Sequence, residues 1–162
     1  MTIKLDKITY ILLTCFAFAV MPKIRAQTAP DSGIKFVQIL ANDTLKFDVV
    51  EINVTAGQKV HVQLRNEGTL PKATMGHNWI LLDSPSEVNA YAMAAMTDRV
   101  TEYRPKSLEV HVLASIPLLG PKETADITFT APTKPGRYPY ICSCCAHSLA
   151  GMKGFLIVKP SS

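Results

Sequence analysis

One loop near the end of the chain restricts the fold more than any other stretch. Cys142-Ser143-Cys144-Cys145-Ala146-His147-Ser148-Leu149-Ala150-Gly151-Met152 puts thiols, an imidazole and a thioether within a single loop's reach, just before a final apolar strand. A second imidazole sits far upstream in Met75-Gly76-His77-Asn78-Trp79. Neither segment says much alone, because Cys and His fall near each other by chance. The order His, Cys, His, Met, with the last three compressed into one loop, is far more specific. It asks for a framework that brings two distant segments to one place.

The rest of the sequence supplies strands for such a framework. Lys35 to Ile39, Lys46 to Val49, Glu51 to Val54, Val60 to Leu64, Asn78 to Leu82, Leu108 to Ala114, Ala125 to Thr130, Gly136 to Ile141 and Gly154 to Val158 all read as short strands. Several alternate polar and apolar residues, with Val60, Val62 and Leu64 on one face and His61 and Gln63 on the other. Period-two patterns separated by Gly, Pro and Asn turns predict an all-β antiparallel sandwich with one buried face per sheet. One helical excursion interrupts it. Ser84-Pro85-Ser86-Glu87 reads as a capping box with proline at the first helical position, and Val88 to Thr97 continues as a short helix.

The amino terminus is of another kind. Lys4 and Lys7 precede an apolar run from Ile8 to Met21; Pro22 ends it, and Ala26 offers a small residue for cleavage. Residues 1–26 are expected to be a secretory signal peptide, leaving a single domain over residues 27–162. A retained membrane anchor is the competing reading, and Leu12-Leu13-Thr14-Cys15 vaguely resembles a lipid-attachment box. Removing Lys4, Lys7, Lys23 and Arg25 together with Asp6 turns 17 bases and 13 acids into 13 and 12, a net charge of +1. No basic stripe with interleaved aromatics remains, so nucleic acid is not an expected partner. An exported, periplasmic-type location follows.

The thiols cluster rather than spread. With Cys15 gone, Cys142, Cys144 and Cys145 have no distant partner to cross-link the fold, which favours metal or redox chemistry over stapling. Copper cycling between two oxidation states suits a thiolate and two imidazoles in a plane with a weak axial thioether. Cys142, His77, His147 and Met152 form that set, with the spacing Cys-x4-His-x4-Met. His61 and His111 lie in alternating segments away from any thiol and read as surface or structural residues. A structural zinc site would tolerate the same Cys and His residues but leaves Met152 without a role.

Leu70 to Trp79 resembles the first-histidine motif of azurins, and His147 through Lys159 resembles their last ligand loop and strand. The Cys-x4-His-x4-Met spacing is closer to auracyanins within the same cupredoxin family. The resemblance runs from about Val37 to Lys159. It implies a Greek-key β-sandwich and a single copper held by His77, Cys142, His147 and Met152. It makes the Gly76 carbonyl a candidate weak axial donor and gives Asn78 the task of tying the two ligand segments together. It further implies one-electron transfer between transient protein partners, without substrate conversion, across an apolar rim of Leu118, Leu119, Ala146 and Leu149. The chain departs from azurins where an aromatic residue, Pro and Gly normally follow the thiolate. Here those positions are Cys144, Cys145 and Ala146. The extra thiols could stay idle, pair with each other, or hold metal. The last option gives the rival reading, copper storage or delivery.

Overall fold

The computed structural model describes residues 33–161, so the expected signal peptide lies outside the described residues. Among the described residues, nine strands form two sheets. They are β1 (Lys35–Asn42), β2 (Lys46–Phe47), β3 (Glu51–Thr55), β4 (Lys59–Asn66), β5 (His77–Leu82), β6 (Val112–Leu119), β7 (Thr124–Thr130), β8 (Gly136–Ile141) and β9 (Lys153–Lys159). One sheet has the order β2-β1-β4-β7 and the other β3-β9-β8-β5-β6. This is an all-β sandwich of two sheets.

Alternation places the core. In β4, Val60, Val62 and Leu64 are buried, while in β9 Gly154, Leu156 and Val158 turn inward. Trp79 of β5 joins the sheets, its ring centroid 5.4 Å from Tyr140 of β8 and 6.0 Å from Phe129 of β7. Such offset aromatic contacts combine large buried area with defined geometry.

The pairing departs from the antiparallel expectation in two places. β1 runs parallel to β4 (Lys35 opposite Val60), and β3 runs parallel to β9 (Glu51 opposite Phe155). Period-two patterning reports which face is buried and carries no information about strand direction. The expected strand from Leu108 to Ala114 is also displaced. Lys106–His111 coils as a 3-10 turn after Pro105, and β6 starts only at Val112. Pro105, with φ −63°, starts the coil, and the Leu108 N–H donates to its carbonyl.

Two short helices interrupt the strands. α1 (Lys72–Met75) precedes β5, and α2 (Glu87–Thr97) follows it. The expected capping box does not form. Ser84 Oγ accepts from the Ser86 N–H at 3.3 Å, and Ser86 Oγ donates to the Glu87 carboxylate at 3.0 Å, so Glu87 pairs with Ser86 instead of the Ser84 N–H. Backbone bonds from Glu87 to Ser84 and from Val88 to Pro85 start the helix instead. The segment after α2 covers the outer face of β5, where Thr101, Glu102 and Arg104 line a crevice of about 170 Å³ with Asn78 and Ile80. β5 is therefore buried along its whole length. No helix among the described residues is long and apolar enough to cross a membrane.

Candidate metal centre

His77 opens β5 directly after α1, with Gly76 between them. The fit there is tight: a Cβ on Gly76 would lie 2.6 Å from the Lys72 carbonyl oxygen and 2.9 Å from Leu118 Cγ. Only glycine can carry the chain through that gap and deliver His77 at the sheet end. The thiol loop joins β8 to β9, whose antiparallel pairing ends with Ile141 opposite Lys153. The Cys142 N–H then donates to the Met152 carbonyl at 3.1 Å, and the Met152 N–H to the His147 carbonyl at 3.0 Å. The Ser148 N–H returns to the Cys142 carbonyl at 3.1 Å. These bonds fix Cys142, His147 and Met152 to one another through the backbone.

The side chains from the two segments meet. Cys142 Sγ lies 3.5 Å from His147 Nδ1 and 3.9 Å from His77 Nδ1, and the three donor atoms all lie within 4.8 Å of one another. Metal–sulfur and metal–nitrogen bonds of about 2.3 and 2.0 Å, at tetrahedral to trigonal angles, set two donors about 3.5–3.8 Å apart. The observed spacing fits one shared ion. His77, Cys142 and Met152 are 0% exposed and His147 is 4% exposed, so water is kept from the donors.

Burial sets the protonation states. It pushes His77 down to about 4, helped by the facing His147, and lowers His147 as well. Both rings are neutral at neutral pH, as metal-binding imidazoles must be. The Asn42 backbone pulls His77 the other way, although no partner meets hydrogen-bond geometry at its buried Nε2. The Thr74 backbone does the same for His147. Burial also pushes the Cys142 thiol up to about 12, while the backbone N–H groups of Asn78 and Cys144 pull it the other way. A buried thiol of this kind becomes a thiolate when a cation replaces its proton.

Asn78 spans both segments. Its amide donates to Ser143 Oγ at 2.8 Å, and its carbonyl oxygen accepts the Ser143 N–H at 2.8 Å. Ser143 Oγ in turn donates to the Tyr103 carbonyl at 2.6 Å. Tyr103 reaches the loop a second time, with its phenol oxygen 3.2 Å from Cys145 Sγ. That contact and burial push the phenol up to about 12. The sequence offers no sign of Tyr103 or Ser143 as supporting residues, since an aromatic in a connector and a serine between two cysteines are common. Cys144 and Cys145 bring their sulfurs to 2.8 Å and, with His147, make a second group of possible donors. The expected apolar rim is smaller than the sequence suggests. Leu118 and Leu119 are 6% and 5% exposed, Ala146 is half-buried, and Leu149 at 51% carries the exposure.

Comparison with known proteins agrees with this arrangement. The family described as copper binding proteins, plastocyanin/azurin family, matches residues 35–159. Auracyanin-B of Chloroflexus aurantiacus is 33% identical over 121 residues, covering 74% of this chain but 50% of the relative, so the chain spans about half that protein's length. Azurin-1 of Alcaligenes xylosoxydans xylosoxydans is 38% identical over 126 residues, covering 74% of this chain and 94% of the relative. The crystal structure of dithionite-reduced auracyanin from Roseiflexus castenholzii is 30% identical and superposes with a TM-score of 0.69, covering 79% of this chain and all of the other.

Proposed function

Since the chain belongs to the plastocyanin/azurin family of copper-binding proteins, and is a cupredoxin-like blue copper protein, we propose that it is an exported carrier of single electrons between redox partners. Cys142, His77 and His147 hold one copper ion, with Met152 as a weak axial ligand and the Gly76 carbonyl as a weaker donor. The observation that carries this reading is the approach of Cys142 Sγ to both imidazole Nδ1 atoms, at 3.5 and 3.9 Å, inside a buried pocket.

Bound there, copper supplies a one-electron couple. The chain's own residues keep that exchange fast. Asn78 and Ser143 lock the two ligand segments to each other, so the donors hold nearly the same positions in both oxidation states. Burial excludes water that would reorganise around a changing charge. His147, the most exposed of the four proposed ligands, is the electron's way out, next to the exposed Leu149. A patch this small suits brief, weak docking. The chain catalyses no substrate conversion of its own.

The test is optical. The Cu(II)-loaded protein is expected to show intense visible absorption from Cys142 thiolate-to-copper charge transfer. Cys142→Ser should abolish it, and Cys144→Ser should retain it. A colourless wild-type protein holding one Cu(II) per chain would refute the assignment, and the reverse pattern in the two variants would move the thiolate to Cys144. Storage or delivery of copper remains the second reading, because Cys144, Cys145 and His147 also cluster. Two or more tightly bound Cu(I) per chain would favour it.

A further inference from the structure

We propose that Cys144 and Cys145 are a second redox site, a vicinal dithiol that closes to a disulfide by exchange with a small-molecule disulfide and signals its state to His147. The two sulfurs lie 2.8 Å apart. Nonbonded heavy atoms ordinarily rest at about 3.5–4.0 Å, and two thiolates on one metal ion sit about 3.6–3.8 Å apart. The pair is thus held closer than a chelate needs and is nearer to the S–S bond of about 2.05 Å.

The backbone explains how neighbouring side chains come to face each other. In extended chain, successive side chains point to opposite sides. Cys145 instead adopts φ 49° and ψ 33°, and Ala146 follows at φ 65°. This left-handed kink swings Cys145 Sγ back toward Cys144. Tyr103 holds it there, with its phenol oxygen 3.2 Å from Cys145 Sγ. Such strained backbone persists only where the surroundings over-determine it.

Exposure fixes the order of events. Cys144 is buried and Cys145 half-buried, so a disulfide reagent meets Cys145 first. Cys145, as thiolate, attacks one sulfur of the reagent, whose S–S bond breaks and releases one thiolate. Cys144 then attacks the Cys145 sulfur of the mixed disulfide and releases the second. Two protein thiols are oxidised, the reagent is reduced by two electrons to two thiols, and the two protein protons pass through solvent to the leaving thiolates. A disulfide between adjacent residues is strained and therefore readily reduced, so closure reverses when thiols return.

The signal has a short route. The Cys144 carbonyl accepts the His147 N–H at 2.8 Å, and the next residue's N–H, from Ser148, returns to the Cys142 carbonyl at 3.1 Å. Closing the ring re-aims the Cys144–Cys145 backbone and with it the bond to His147. Contacts that orient a ligating histidine tune the metal it holds. This half of the proposal rests on the copper assignment above; the dithiol half does not.

The experiment follows thiols and colour separately. Copper(I)-loaded protein is equilibrated without oxygen in glutathione buffers of graded oxidised-to-reduced ratio, quenched in acid, unfolded, alkylated and read by peptide mass spectrometry. Cys144 and Cys145 are expected to lose alkylation together at one ratio, to regain it with dithiothreitol, and to leave Cys142 alkylated throughout. Cys144→Ser should stop at a glutathione adduct on Cys145, and Cys145→Ser should stay unmodified. A wild-type protein that stops at the adduct, pairs Cys142, or keeps both thiols in pure oxidised glutathione overturns the dithiol site. In Cu(II)-loaded protein, closure should shift the charge-transfer band in wild type and not in Cys145→Ser. A band that does not move overturns the coupling. No band in either state overturns the copper assignment and leaves the mass result to decide the dithiol.

Discussion

Ala146 and Cys145 sit side by side in the left-handed region, at φ 65° and 49°. For a residue with a Cβ this costs about 1–2 kcal/mol, whereas glycine adopts it freely but loses more entropy on folding. Ala146→Gly is therefore expected to stabilise the metal-free protein by up to about 1 kcal/mol, read as a higher urea midpoint; a lower midpoint would mean that the Ala146 methyl makes contacts worth more than the strain. Tyr91 poses the opposite problem. It is 0% exposed, its hydroxyl meets no hydrogen-bond partner, and burial pushes its phenol up to about 12. A buried hydroxyl without a partner carries a desolvation cost of about 1–3 kcal/mol. Tyr91→Phe should leave thermal stability unchanged or raised, and a clear loss would reveal a partner for the oxygen. Asn78→Ala removes both bonds to Ser143 and is expected to weaken copper binding about 10–100-fold, as loss of ligand-orienting contacts commonly does. Competition against a chelator of known affinity measures this, and unchanged affinity would deprive Asn78 of its positioning role.

Among the elements, β9 shows most directly how sequence detail becomes packing. Gly154 lies against Tyr140 of β8, where a Cβ would come within 2.3 Å of the ring's Cζ and Oη. The ring cannot yield easily, because its hydroxyl donates to the Val49 carbonyl at 2.8 Å. Gly154→Ala should destabilise the protein by about 1–3 kcal/mol, the range for overpacked cores; a shift below 0.5 kcal/mol in denaturant unfolding would show that the ring moves aside. Much of the β framework was legible in the chain, because β3, β4, β7 and β9 alternate inward and outward residues without interruption. The parallel pairs were not, since a strand's face says nothing of its neighbour's direction. The start of β6 was misread because Leu108 and Val110 carry strand-like side chains on a segment that Pro105 sets coiling. α1 left no mark, being four residues long with no buried face. At the centre, the convergence of His77 with Cys142 and His147 could be anticipated from residue types and order. Tyr103 could not, because its part depends on a connector folding back over β5.

For the molecule as a whole, metal and fold are linked. The donors gather from chain positions 65 residues apart, Cys142 against His77, and such an array does not exist in the unfolded chain. A ligand that binds only the folded state stabilises it by about 2.7 kcal/mol at one hundred times its dissociation constant. Copper loading is expected to raise the melting temperature, with a rise that grows with free copper and vanishes in Cys142→Ser. Equal shifts in that variant would locate the stabilising metal elsewhere. The parallel pair of β3 with β9 has its own consequence for how the protein comes into being. Glu51 finds its neighbour only in Phe155, so the larger sheet cannot be completed until β9 has been made. A chain that emerges amino end first, or is threaded through a membrane that way, shows Cys142, Cys144 and Cys145 to the surroundings before β9 can pair with its neighbours. Whatever oxidants or metals it meets in that interval reach the sulfurs ahead of the finished protein.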